Sequence, residues 1–208
     1  MKLATRCIPL GALPYDSVES ITRMAAKLFD KLPFVAMLPK ISDNDTLINR
    51  TLENIPGVRI TDKNVQLKIT SNHYKQNMSK LEKAFNHPKL ENLEPFAIKA
   101  PFLEKYLQMI KKFRSPNAVI NLLGPFTISQ MLGDAAEEQV LADKSFRKLF
   151  IQSVCVKALW AIEKIKEVSP DTVPIVILEE PLYGQLGNLK RENEEVTVEF
   201  VTALFARV

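Results

Sequence analysis

The chain predicts an α/β fold built on a parallel sheet, and three observations carry that reading. Apolar runs of strand length alternate with segments of helical period, the pattern of a parallel sheet with helical crossovers. Each of the four strand-like runs stops at glycine or proline. One of them, Val173-Pro-Ile-Val-Ile-Leu-Glu-Glu-Pro181, ends in two carboxylates, Glu179 and Glu180. The C-terminal edge of a parallel sheet is where such folds place their chemistry.

Taken in order, Leu3 to Leu10 reads as a first strand, ended by Gly11-Ala-Leu-Pro-Tyr15. Asp16 or Ser17 then caps a helix with Val18, Ile21, Met24, Ala25 and Leu28 on one face. Phe34 to Leu38 is a second strand closed by Pro39, and Asp43 to Leu52 is helical up to Ile55-Pro-Gly57. Residues 58–69 read as a hairpin around Asp62-Lys-Asn64, an excursion from the main sheet. Residues 71–116 form a polar helical insertion broken by Pro88, Pro95 and Pro101. Ala118 to Leu123 is a third strand with Gly124-Pro125 as a sharp turn after it. Ser145 to Val168 is the longest helix, with a stripe of Phe146, Leu149, Phe150, Val154, Ala158, Ala161 and Ile165 expected to lie on the sheet. Trp160 beside it reads as core. The Glu179 strand is the fourth, and Val196 to Val208 is an amphipathic helix. Four strand–helix units and a hairpin make about half of a barrel, in a single domain over 1–208.

The 208 residues are 46% hydrophobic and 25% charged, enough to bury a sizeable core. The net charge of +4 comes from 28 basic and 24 acidic residues scattered along helices, with no arginine run interleaved with aromatics. That distribution argues against a nucleic-acid partner. Cys7 and Cys155 are far apart and suit a reducing compartment as small buried residues. His73 and His87 fall in the polar helical middle and read as exposed, so these four residues offer no shared metal site. No stretch approaches the roughly 18 apolar residues of a membrane span, and the N-terminus lacks a long apolar signal core. No membrane partner is expected, and the chain reads as cytoplasmic.

The turns Gly11-Ala-Leu-Pro-Tyr15, Leu123-Gly-Pro-Phe-Thr127 and Leu178-Glu-Glu-Pro-Leu-Tyr183 bring backbone close to whatever lies above the sheet, and together they place tyrosine, threonine and carboxylate groups at one rim. Each resembles a motif of the cobalamin-independent methionine synthase family, within the superfamily that includes uroporphyrinogen decarboxylase. The first is similar to a Gly-Ser-Leu-Pro-His opening, the second to a Thr-Gly-Pro-Phe/Val-Thr segment, the third to an Asp-Glu-Pro strand end, in family order across nearly the whole chain. The resemblance implies a TIM (β/α)8 barrel of which this chain is the N-terminal half. It also implies a substrate site formed by Gly11, Tyr15, Gly124, Thr127, Glu179, Glu180 and Tyr183.

The family activity so implied is methyl transfer from a folate-type donor to the thiol of an amino-acid substrate. Glu179 would inherit the pairing with the substrate amino group, with Glu180 in support. Three polar positions depart from the pattern: Tyr15 stands for histidine, Ala12 for serine, and Glu179 for aspartate. The family's zinc is held by a His-x-Cys pair, a glutamate and a distant cysteine beyond the Asp-Glu-Pro strand, and this chain has no His-x-Cys. No cofactor is therefore expected in this chain, with zinc only if the downstream half is present, and methyl transfer is not expected of the chain alone. Two other functions fit the same residues: a non-catalytic or divergent relative that binds a small molecule at the rim, and a half-barrel that pairs its open strand edges with a second copy to form a homo-oligomer.

Overall fold

The computed structural model describes residues 11–60, 65–67, 72–131, 144–182 and 191–207. In chain order these form α1 (Val18–Leu28), α2 (Leu47–Leu52), β1 (Val58–Ile60), β2 (Val65–Leu67), α3 (Asn72–Asn86), α4 (Leu90–Leu93), a 3-10 turn (Glu94–Phe96), α5 (Leu103–Phe113), β3 (Asn117–Leu123), α6 (Pro125–Met131), α7 (Lys144–Val168), β4 (Val173–Glu179) and α8 (Arg191–Phe205). The fold is mixed α/β. The chain divides into two compact units, one of 1–50, 99–121 and 161–177, the other of 51–98, 122–160 and 178–208.

In the first unit the strand segments are neighbours in the order in which the chain makes them. Ala12 bridges Met37 in parallel, and the Leu13 N–H donates to the Met37 carbonyl at 2.9 Å. Phe34 bridges Val119 in parallel, with the Val119 N–H donating to the Pro33 carbonyl at 2.8 Å. β3 then pairs with β4. The Val173 N–H donates to the Pro116 carbonyl where both strands begin, and the Gly124 N–H donates to the Glu179 carbonyl where both end, so the pair is parallel. The proposed first strand, Leu3 to Leu10, lies outside the described residues.

The second strand is less regular than its sequence predicts. Phe34 to Leu38 is wholly buried, but it makes two isolated bridges in place of a continuous ladder. Its unpaired backbone groups are answered by side chains. The Arg50 guanidinium donates to the carbonyls of Val35 (2.9 Å) and Ala36, and the Asp45 carboxylate accepts the Leu38 N–H at 2.7 Å. Arg50 and Asp45 also pair with each other at 2.7 Å, with side chains 1% and 0% exposed. Burial lowers the Arg50 pKa, and the hydrogen bond and charge of Asp45 act in the opposite direction. Asp45 is thus spent on backbone, and the helix expected from Asp43 begins only at Leu47, after the Thr46 hydroxyl accepts the Asn49 N–H at 3.2 Å.

α1 opens at Ser17, whose hydroxyl accepts the Ser20 N–H at 3.2 Å. It packs on α5 through Ile21 and Ala25 against the helix that buries Tyr106, Met109 and Ile110. Leu28, expected on the buried face, is 62% exposed. On β4 the apolar Val173 and Ile175, alternate residues on one face of the strand, are exposed, and β3 is the only strand beside it among the described residues.

In the second unit β1 and β2 pair antiparallel, Val58 with Leu67 and Ile60 with Val65. The turn between them, and Lys68 and Ile69, lie outside the described residues. α7 is the central element. In place of the predicted single stripe, every residue from Leu149 to Trp160 is buried, so the helix is covered on all sides. Two of its polar side chains find partners: the Ser153 hydroxyl donates to the Leu149 carbonyl at 2.7 Å, and the Trp160 indole N–H donates to Glu94 at 3.1 Å. α8 starts at Arg191, five residues before the predicted Val196, and Phe200 is buried. Arg207 fastens its end by stacking 3.6 Å over the Phe85 ring and donating to the Phe85 carbonyl at 2.9 Å.

Candidate functional site

The end of β3, the start of α6 and the end of β4 meet in the second unit, and a carboxylate holds them. β3 terminates at Gly124, and Pro125 takes the first position of α6, where its missing N–H costs nothing. The next two amides have no partner within the helix. Glu180 supplies it: Oε1 accepts the Phe126 N–H at 3.1 Å and Oε2 accepts the Thr127 N–H at 2.7 Å. A residue 53 positions away from Thr127 in sequence thus caps this helix.

Glycine at 124 follows from the same contact. A Cβ there would overlap the Glu180 side chain, so the carboxylate reaches the two amides only over a bare backbone. The Gly124 N–H is the last rung to β4, donating to the Glu179 carbonyl at 2.9 Å. Thr127, 1% exposed, turns its hydroxyl oxygen toward the Leu182 N–H at 3.5 Å, at the margin of a hydrogen bond. Thr51 supports the strand end from another side: its hydroxyl accepts the Leu123 N–H at 2.8 Å. No sequence signal marked Thr51, because a lone threonine in the last turn of a short helix looks like many others.

Of the seven residues predicted for the site, the structure brings Gly124, Thr127 and Glu180 together and sets the Glu179 backbone against Gly124. The Glu179 side chain is half-buried. Gly11 and Tyr15 belong to the first unit, where Gly11 takes a positive φ of 82° and Tyr15 is half-buried. Tyr183 lies outside the described residues. The Glu180 carboxylate fills the start of α6, so its amides are already engaged and are not offered to an anionic ligand.

Among the described residues, no three His, Cys, Asp or Glu side chains form a group that could hold a metal ion. Cys155 is buried against the Phe200 carbonyl, 3.9 Å from Sγ, and burial pushes its thiol up to about 12. His87 is exposed, and Cys7 and the His73 side chain lie outside the described residues. No helix among the described residues is long and apolar enough to cross a membrane. No protein-family model matches the chain, and no curated protein or solved structure matches it either.

Proposed function

We propose that the chain supplies the first four strand–helix units of a (β/α)8 barrel of the cobalamin-independent methionine synthase type, and that its rim binds the amino-acid end of a small substrate. The observation that carries this is the strand order in the first unit. In a doubly wound sheet the order reverses around the first strand, as in 3-2-1-4-5-6 or 2-1-3-4-5, so its first four strands do not all neighbour one another in chain order. Here the segments at Ala12, Phe34 to Met37, β3 and β4 neighbour one another in chain order and run parallel, as barrel strands do. The chemistry of that type is methyl transfer from a folate-type donor to a thiol. The described residues do not group the sulfur and imidazole donors that a thiol-activating zinc needs.

In this reading Glu180 holds the Gly124 turn, and Glu179 one residue before it meets the substrate ammonium by a charge-assisted hydrogen bond, on the order of 1.5–3 kcal/mol. Calorimetric titration with L-methionine tests it. Glu179→Gln is expected to weaken binding by roughly ten- to a hundredfold with an unchanged melting temperature. Equal affinity in wild type and variant sinks the assignment.

Self-association is a second reading, favoured by the exposure of Val173 (54%) and Ile175 (36%) on β4. An open strand edge with apolar side chains pairs with another copy at low cost. Light scattering that gives the monomer mass at high concentration rules it out.

A further inference from the structure

Within the second unit, α7, α8 and the end of α3 line a cavity of about 560 Å3 that shares no residue with the rim. Its size falls in the range of small-molecule sites, about 300–1,000 Å3. Phe85, Ile151 and Ala203 give it an apolar side. Its charges cancel: Arg147 and Lys148 come from α7, Glu195 and Glu199 from α8. Arg147 lies 3.9 Å from Glu195 and 3.4 Å from Glu199, at or beyond the limit of a good hydrogen bond. An ion of either sign entering here meets a like charge beside each opposite one, and also loses its water. A neutral guest meets neither penalty.

Gln152 decides what that guest must carry. It lines the cavity, is only 5% exposed, and its side-chain oxygen Oε1 has no hydrogen-bond partner among the described residues. Buried polar atoms are almost always paired, so an unanswered acceptor beside a cavity calls for a donor. We infer that this cavity binds a small uncharged molecule bearing a primary carboxamide on an apolar body, with the carboxamide N–H donated to Gln152 and the body against Phe85, Ile151 and Ala203. A carboxamide carries both a donor and an acceptor, so it pairs with the Gln152 amide whichever way round that amide sits. The site is independent of the rim and of the barrel reading.

The test uses one ring with three head groups. Benzamide, benzoate and benzylamine are titrated calorimetrically into the full chain, and benzamide is expected to bind about tenfold more tightly than either ion. Gln152→Leu keeps the side chain's bulk and removes the acceptor. It is expected to weaken benzamide about tenfold without lowering the melting temperature. Ala203→Leu narrows the cavity from α8 without touching Gln152 and is expected to abolish binding, which decides the matter if Gln152→Leu does not fold. Equal binding of the three compounds, no benzamide binding at millimolar concentration, or unchanged benzamide affinity in the folded variants overturns the proposal.

Discussion

Two strand ends in this protein are finished by charged side chains, in opposite senses. In the first unit Arg50 gives its donors to the carbonyls of Val35 and Ala36, and Asp45 beside it takes the Leu38 amide. In the second unit Glu180 takes two amides, and no partner cation is needed, because the start of α6 carries the compensating partial charge. The first arrangement is a closed pair with side chains 1% and 0% exposed. The second is half-buried and stands at a strand end. The comparison teaches that a charge sealed in the core must bring its own counter-charge, whereas one at a partly wet edge can rely on backbone dipoles.

The largest effect is expected where the charge is sealed. Arg50→Met leaves the Asp45 carboxylate buried and unpaired and two carbonyls unanswered, and is expected to cost about 3–5 kcal/mol in chemical denaturation. Arg50→Lys is expected to recover only part of that, because an ammonium lacks the planar fork that reaches Asp45 and both carbonyls. A loss below about 1 kcal/mol for Arg50→Met would erase the distinction between the two ends.

Gly124→Ala comes next. Its methyl group displaces the Glu180 carboxylate, with an expected cost of roughly 1–3 kcal/mol. In a Glu180→Ala background the same change is expected to cost little, and a double-mutant cycle by urea denaturation measures the coupling. Additive losses would mean that Gly124 is required for some reason other than Glu180.

A smaller effect follows from Glu180→Gln, which keeps one acceptor for two amides. About 1 kcal/mol is expected, since water can reach the abandoned amide at a half-buried position. If the loss matched that of Arg50→Met, Glu180 would count as sealed too.

The last is a pH effect, nil at neutral pH, from a buried group whose burial outweighs the attraction of its counter-charge, Arg207. The Cys155 thiol rises from its ordinary 9.0 to about 12. It stays protonated in the folded chain while the unfolded chain ionises it, so its contribution is fully present below pH 9 and is lost as pH rises toward 12. Cys155→Ser is expected to flatten the decline of stability over that window, and the Cys155 peptide is expected to resist alkylation at pH 8 until the chain is unfolded.

How much of this was legible beforehand depends on the range of the interaction. The helix after Ser17, the turn at Gly124-Pro125 and the strand from Val173 to Glu179 follow from local rules: a capping hydroxyl, a proline without a donor, and a β-branched run. Sequence pattern therefore marked Gly124, Thr127 and Glu180 as belonging to strand ends. It did not show that the Glu180 carboxylate sits over Gly124, because that contact joins residues more than fifty positions apart. Nor could periodicity distinguish a helix with one buried stripe from α7, which neighbours cover on every side. The sequence by itself determined which segments are strand or helix and which turns need glycine or proline, since those choices rest on φ, ψ and side-chain entropy within a few residues. Only the tertiary structure decided that Arg50 and Asp45 stand in for a ladder, that Glu180 caps a distant helix, and that Gln152 lines a cavity with its Oε1 unpartnered among the described residues. Each of those depends on which groups lose water together, and that is fixed when distant segments pack.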